Sequence, residues 1–188
     1  MNQPGGQNVV RAHLYPSWHG SFREIWGYGA YVPKDDCHSW HAAGRGFDIS
    51  RLRAGSTLLV SAREDLWHET TPERQVDLRR RYWTLGASLH LHLAYVLSHH
   101  FDDLHRNHFH VDNGVSGSAM SSFDRGSRVQ IQAVQAICGS IWGRPGEVTG
   151  EWSDAKGQVS PVLDELGLRD LRKQQTWQAF LRASVARG

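Results

Sequence analysis

A strict alternation of polar and apolar residues marks the middle of the chain. The polar positions are His108, His110 and Asp112, and the apolar positions between them are Phe109 and Val111. Successive side chains of a β-strand point to opposite faces, so the three polar side chains would share one face. In a helix, the two imidazoles would lie about 200° apart around the axis. The alternation therefore predicts a strand that buries two apolar side chains and turns two imidazoles and a carboxylate toward a cleft.

The same alternation recurs earlier, where Asp48 stands between Phe47 and Ile49. This pattern predicts a second short strand, again with its carboxylate on the polar face. If the two strands pair, Asp48 comes close to His110.

The turn before this second strand begins at His41 and follows the spacing His-x2-Gly-x3-Asp. Gly44 and Gly46 permit a left-handed or closely approached backbone between His41 and Asp48. The sequence therefore predicts that His41 joins Asp48 and His110 in one cluster.

Helical spacing replaces the alternation farther along. Thr71 followed by Pro72 is typical of a helix start, and residues 58–61 predict a short strand before it. Apolar residues then recur at helical spacing from Val76 to His99, with Gly86 as a point of interruption. Four histidines on or just after this helix are predicted to be surface or capping residues, namely His90, His92, His99 and His100.

The composition changes abruptly after Gly114, where residues 114–127 are rich in glycine and serine and predict a linker. Beyond it, residues 129–142, 159–168 and 171–185 have helical patterns. We therefore predict that these three short helices form a small C-terminal bundle. The predicted domains are residues 1–115 and 128–188, joined by a linker over 116–127.

Composition excludes some classes of function. The 188 residues have a net charge of +2, which is too mild to indicate nucleic acid as a partner. No segment approaches the roughly 20 apolar residues of a membrane span, and the first residues show no signal peptide. Cys37 and Cys138 either form one disulfide or remain separate thiols, and neither belongs to a CxxC motif.

Two imidazoles and one carboxylate form the ligand set of a catalytic zinc site, because they leave a coordination position open. Zinc in such a site lowers the pKa of a bound water toward about 7 and polarises a carbonyl, which suits the hydrolysis of an amide. A non-haem Fe(II) site has the same kind of ligand set and is an alternative. The general base must come from nearby residues, for which the sequence offers His105, His108, Asp102, Asp103 and Asp112.

These residues carry a resemblance to a known family. The segment SWHAAGRGFDIS, followed downstream by LHRNHFHVD, resembles the motifs of the LAS-type zinc metallopeptidases, and most of all those of their extensin-like branch. That superfamily includes D-Ala-D-Ala carboxypeptidases and murein endopeptidases, and the similarity covers residues 35–113. The resemblance implies that His41, Asp48 and His110 bind Zn²⁺, with His108 as a neighbour in the site. It also implies an α+β fold in which an antiparallel sheet carries the site and helices flank it, with the small helical bundle at the C-terminal end.

The chain departs from many of these relatives at Asn107, where they have an acidic residue that acts as the base. An amide cannot accept a proton at neutral pH. The spacing His105-x2-His108-x-His110 is similar to that of the murein endopeptidase branch, which implies a histidine base at His105. The alternative is a catalytically inactive zinc module that binds the cell wall or acts in signalling.

Residues for substrate binding are less clearly marked. Such enzymes hold a peptide carboxylate with a cation, for which Arg23, Arg45 and Arg106 are candidates. The tail is similar to the three-helix peptidoglycan-binding repeat. Gln132, Gln135, Gly150 and Trp152 carry that similarity, and Ser153 stands where the repeat has a glycine. Together the two resemblances imply a zinc peptidase of the cell envelope or a secreted one, with peptidoglycan stem peptides as its substrate.

Overall fold

A computed structural model describes the backbone of residues 8–10 and the full residues 24–29, 40–114 and 120–188. Within these residues six strands form one sheet: β1 (Asn8–Val10), β2 (Glu24–Gly29), β3 (Phe47–Ala54), β4 (Thr57–Ser61), β5 (Tyr95–Leu97) and β6 (Phe109–Asp112). The described α-helices are α1 (Glu64–Trp67), α2 (Pro72–His92), α3 (Arg128–Trp142), α4 (Trp152–Glu165) and α5 (Gln174–Arg187). A 3-10 helix, Asp103–Asn107, leads directly into β6.

All strand pairs are antiparallel, and the order across the sheet is β1-β2-β3-β6-β5. β3 is eight residues long, and two strands share one of its edges. Its first half, Phe47–Ile49, pairs with β6, and its second half, Arg51–Ala54, pairs with β4. The two halves of β3 thus have different partners: the first half pairs with β6, and the second half forms a hairpin with β4.

Helix α2 covers the sheet. As the sequence predicts, Thr71 caps its first turn by accepting the backbone N–H of Arg74, and Pro72 is its first residue. Tyr82 and its neighbour Trp83 pack on Phe109, with ring centroids 4.1 Å and 6.1 Å away. The apolar face of β6 is therefore buried under α2.

The predicted start of this helix at Pro72 is confirmed, but its predicted extension to His99 is wrong. Helix α2 ends at His92, and it continues through Gly86 without interruption. The residues that follow form β5, in which Tyr95 faces Asp112 and Leu97 faces His110. Pairing with β6 supplies hydrogen bonds to backbone groups that would otherwise bond within a continued helix. A long-range contact therefore overrides the local pattern.

The C-terminal helices pack on α2. Helices α3 and α5 both lie against it, α4 packs on α3, and the buried apolar residues of both halves form one continuous core. The second half of the predicted linker is packed as well, because Phe123 is buried and the indole of Trp177 donates to Ser121 Oγ over 2.8 Å. Residues 120–127 are thus attached to α5, while the predicted domain boundaries themselves stay a prediction.

One prediction for the histidines of α2 is wrong. His90 is fully buried rather than on the surface, and its ring packs edge-on against Trp177 of α5 at 6.0 Å. Burial lowers its pKa to about 3, so the ring is neutral and serves as part of the core between α2 and α5.

The predicted α+β class, with an antiparallel sheet, flanking helices and a helical C-terminal region, is confirmed. Among the described residues, no helix combines the length and apolarity needed to cross a bilayer. Cys138 is a buried free thiol. Cys37, which could form a disulfide with Cys138 in one of the two predicted alternatives, lies outside the described residues.

Candidate metal centre

The site is built on the pairing of β3 and β6. In their register, Asp48 lies directly opposite His110, with Phe47 opposite Val111 and Ile49 opposite Phe109. The predicted pairing of the two strands is therefore confirmed. Because facing residues of an antiparallel pair lie on the same side of the sheet, the carboxylate and the imidazole meet.

A tight turn brings His41 to this pair. The carbonyl of Trp40 accepts the N–H of Arg45 over 2.8 Å and that of Gly46 over 3.1 Å, which folds residues 40–46 back onto the start of β3. Gly44 has a φ of +66°, which confirms the predicted left-handed conformation of the turn. Gly46 provides the predicted close approach, since a Cβ there would lie 2.8 Å from Cε1 of His110.

Three donor atoms form a nearly equilateral triangle. His41 Nε2 lies 2.9 Å from His110 Nδ1 and 3.1 Å from Asp48 Oδ1. The third side, from His110 Nδ1 to Asp48 Oδ1, is 3.0 Å. Tetrahedral zinc with ligand bonds of about 2.0–2.1 Å separates its ligand atoms by about 3.3 Å, so small outward shifts would fit these three atoms around one ion. The group can hold a metal ion, as the sequence predicts.

A second carboxylate fixes the imidazole of His110. Its Nε2 lies 3.1 Å from Asp112 Oδ2, and Oδ1 of Asp112 accepts the N–H of Gly114 over 2.6 Å. A proton on Nε2 that is donated to Asp112 leaves the Nδ1 lone pair directed at Asp48 and His41. Carboxylates behind metal-binding histidines have this role, so Asp112, which the sequence offered as a base, would orient His110 if His110 binds a metal ion.

The charges of the site couple its groups. Burial lowers the pKa of His110, but hydrogen bonds to Asp112 and Asp48 and their charges outweigh it and raise the pKa to about 9. Burial raises the pKa of Asp48, but its hydrogen bond with His110 and the nearby imidazoles bring it below the ordinary value. A metal ion would take the place of the proton on His110 Nδ1, so its binding would release that proton.

His108 lies beside the triangle without being part of it. Its Nε2 is 3.4 Å from Asp48 Oδ1, and its Nδ1 is hydrogen-bonded to Oδ1 of Asn107. The ring of Tyr28 meets it edge-on at 6.0 Å. Burial lowers the pKa of His108 to about 4, although the negative charge of Asp48 acts in the opposite direction. The imidazole is therefore neutral.

His105 lies on the 3-10 helix at the edge of the site. Its ring centroid is 5.1 Å from that of His108 and 6.1 Å from that of His110. Its Nδ1 lies 2.6 Å from Oδ1 of Asp102. The sequence proposed both residues as separate bases and missed their pairing, which depends on the short turn between them. An aspartate three residues before the histidine was the available signal.

Two of the three arginines predicted for substrate binding lie in the described residues, and each has a contact outside the triangle. Arg45 is exposed, and its guanidinium lies over the ring of Trp40 at 5.4 Å. Arg106 donates through Nε to Glu64 Oε2 over 2.8 Å, which ties the 3-10 helix to α1. Arg23 lies outside the described residues.

The residues of the tail motif have structural contacts. Gln135 donates to Thr149 Oγ1 over 3.1 Å and accepts the N–H of Gly150 over 2.8 Å, so it closes the loop between α3 and α4. Gln132 donates to the carbonyl of His100 over 2.7 Å and joins α3 to the turn after β5. Trp152 packs against Phe123 at 5.3 Å.

Comparison with known proteins gave no match: no family model, no curated protein and no solved structure is significantly similar to the chain.

Proposed function

We propose that the chain is a zinc-dependent peptidase that hydrolyses peptide bonds of bacterial peptidoglycan, as a D-Ala-D-Ala carboxypeptidase or an endopeptidase. The observation that carries the proposal is the register of β3 and β6, which sets Asp48 against His110 while the turn of His41 completes the triangle. The resemblance of the same residues to the LAS-type motifs supplies the class of reaction.

His41, Asp48 and His110 would hold the ion. Three protein ligands leave a position for solvent, and zinc bound in this way supplies a water of lowered pKa and polarises the scissile carbonyl. Asp112 supports this arrangement from behind, because its contact with Nε2 of His110 fixes which ring nitrogen is available.

His105 is the proposed general base. Hydrolysis adds the oxygen and one proton of water to the acyl group, and the other proton goes to the leaving amine. Nε2 of His105 takes that proton from the attacking water and returns it to the amine nitrogen as the C–N bond breaks. Nδ1 of His108 faces Oδ1 of Asn107, so its neutral ring carries the proton there and has a lone pair on Nε2 beside Asp48. We propose that this Nε2 accepts a hydrogen bond from the attacking water or the substrate rather than binding the ion.

The proposed substrate follows from the resemblance of both halves of the chain. The tail, with its Gln135–Gly150 contact, is similar to a peptidoglycan-binding repeat, and it shares one core with α2, which packs on the face of β6 opposite the metal centre. Such an arrangement would fix the position of a bound polymer relative to the metal centre. We therefore propose that the protein acts in the cell envelope or after secretion.

Digestion of purified sacculi tests the proposal. The zinc-loaded protein should release muropeptides that mass spectrometry identifies: shortened stems from a carboxypeptidase, or monomers from cross-linked dimers from an endopeptidase. His110→Ala and chelator should each abolish the products, whereas His92→Ala, at the exposed end of α2, should release as much as wild type. Equal release by wild type and His110→Ala would refute the proposal.

The inactive module is the second candidate, because Asn107 replaces the expected acid and its side chain is engaged with His108. Co-sedimentation of the protein with sacculi, without any new muropeptide, would favour it. Metal analysis of the protein as purified separates both candidates from an oxygenase, since one zinc per chain would exclude the iron alternative.

A further inference from the structure

The loop between β5 and β6 contains an aspartate whose contacts the proposed function leaves unused. Asp102 precedes the 3-10 helix, and its Oδ1 accepts the backbone N–H of Leu104 over 3.0 Å and that of His105 over 3.2 Å. The same oxygen lies 2.6 Å from Nδ1 of the His105 ring. One carboxylate therefore caps the helix and also binds the imidazole that the helix carries.

This contact determines the protonation pattern of the ring. An ionised carboxylate only accepts hydrogen bonds, so Nδ1 of His105 must carry a proton. In a neutral ring the lone pair is then on Nε2, at the side of the ring away from Asp102.

The 3-10 helix that carries His105 is also fixed at its C-terminal end. Arg106 is bonded to Glu64 of α1, and Asn107 is bonded to His108 just before β6. The ring of His105 also meets Phe101 edge-on at 5.5 Å and has 14% of its side chain exposed. The imidazole is therefore confined between Phe101, His108 and His110, on the side of the metal triangle.

We propose that Asp102 is a positioning residue: it holds His105 in the Nδ1–H tautomer and in the orientation that leaves Nε2 free on the side of the metal centre. The catalytic part of this inference rests on the proposed function, whereas the tautomer does not. The aspartate of serine-protease triads acts in the same manner on its histidine.

Two substitutions separate the contact with the ring from the cap. Asp102→Asn keeps a carbonyl oxygen that can accept from both backbone N–H groups and from the ring. Asp102→Ser keeps a good N-cap, but its side chain is one bond shorter and lies farther from the imidazole. A merely structural role would leave both variants with the tautomer of wild type.

Nitrogen-15 NMR of histidine-labelled full-length protein at pH 8 measures the tautomer, with the His105 signals assigned by their loss in His105→Gln. Wild type and Asp102→Asn should show a protonated Nδ1 and a bare Nε2, with and without zinc. Asp102→Ser should shift toward the Nε2–H form. A wild-type ring with Nε2 protonated, or an Asp102→Ser spectrum equal to that of wild type, would overturn the proposal.

Hydrolysis of peptidoglycan gives the second measurement. Asp102→Ser should lower kcat about 10–100-fold, the range for residues that orient a functional imidazole, while KM stays near the wild-type value. In the His105→Gln background, Asp102→Ser should cause no further loss, because the ring it positions is gone. A full additional loss there would overturn the proposal. If no variant and no wild type cuts sacculi, the proposed function fails, while the NMR result still decides whether Asp102 sets the tautomer.

Discussion

Gly46→Ala tests the geometry of the metal centre directly. A Cβ at position 46 would lie 2.8 Å from Cε1 of His110, 3.3 Å from the backbone nitrogen of His41 and 3.4 Å from its Cε1. Carbon atoms pack at about 3.5–4.0 Å, so the ring of His110 would have to move by about 0.7 Å. The ring cannot move freely, because Asp48 and Asp112 hold its two nitrogens from opposite sides.

The magnitude follows from this conflict. A functional constellation tolerates displacements of about 0.5 Å, and disturbing the support of a metal ligand typically weakens binding about 10–100-fold. We therefore expect the zinc Kd of Gly46→Ala to rise by about that factor. Overpacking of this kind also costs about 1–3 kcal/mol of folding free energy, measured without metal.

Competition with a chromophoric chelator measures the zinc affinity, and urea unfolding in the presence of chelator measures the stability. Gly157→Ala is the matched control, since Gly157 lies in α4 with no atom within 4 Å of an added Cβ. That variant should keep the wild-type zinc affinity and gain about 0.5–1 kcal/mol from the better helix propensity of alanine. An unchanged zinc affinity in Gly46→Ala would refute the close approach on which this reasoning depends.

Three further predictions concern the metal and pH. Asp112→Ala should weaken zinc binding about 10–100-fold, because it removes the contact that orients the ring of His110. Chelator competition measures the affinity, and a wild-type value would contradict this prediction. Zinc at about 1,000 times its Kd should stabilise wild type by about 4 kcal/mol in thermal unfolding but leave His110→Ala unchanged; a similar gain in both would place the metal elsewhere. His90 has a pKa of about 3 in the folded protein and about 6.5 in the unfolded chain, so unfolding takes up a proton and stability falls as the pH drops through that window. Urea unfolding of His90→Leu should show a pH slope smaller by about 1.4 kcal/mol per pH unit below pH 6.5, and an unaltered slope would show that His90 is not buried neutral.

The sequence predicted the two strands of the site because their pattern is local. Phe109 and Val111 alternate with polar residues, and Phe47 and Ile49 enclose Asp48 in the same way, so each strand has a buried and a polar face regardless of its partners. The glycines of the turn added the prediction that His41 folds back. The candidate metal ligands could therefore be proposed from spacing alone.

The errors concern contacts between distant parts of the chain. Leu97 continues the helical spacing of α2, yet it pairs with His110 in the sheet. His90 has a polar side chain, for which the sequence predicts a surface or capping role, yet α5 buries it. Neither partner is adjacent in sequence, so no local pattern could reveal them. Asp112 shows the intermediate case, since its place on the polar face was predicted but its role behind His110 required the side-chain geometry.

The long strand β3 has a practical consequence for engineering. Asp48 lies near its first residue, while the two-residue turn that follows Ala54, where Gly55 has φ of +59°, lies about 20 Å farther along the strand. A fluorophore, an affinity tag or a library of longer loops inserted at this turn would leave the alignment of Asp48 with His110 intact. A single residue inserted between Asp48 and Ile49 would invert the faces of the strand before it and turn the carboxylate toward the apolar interior.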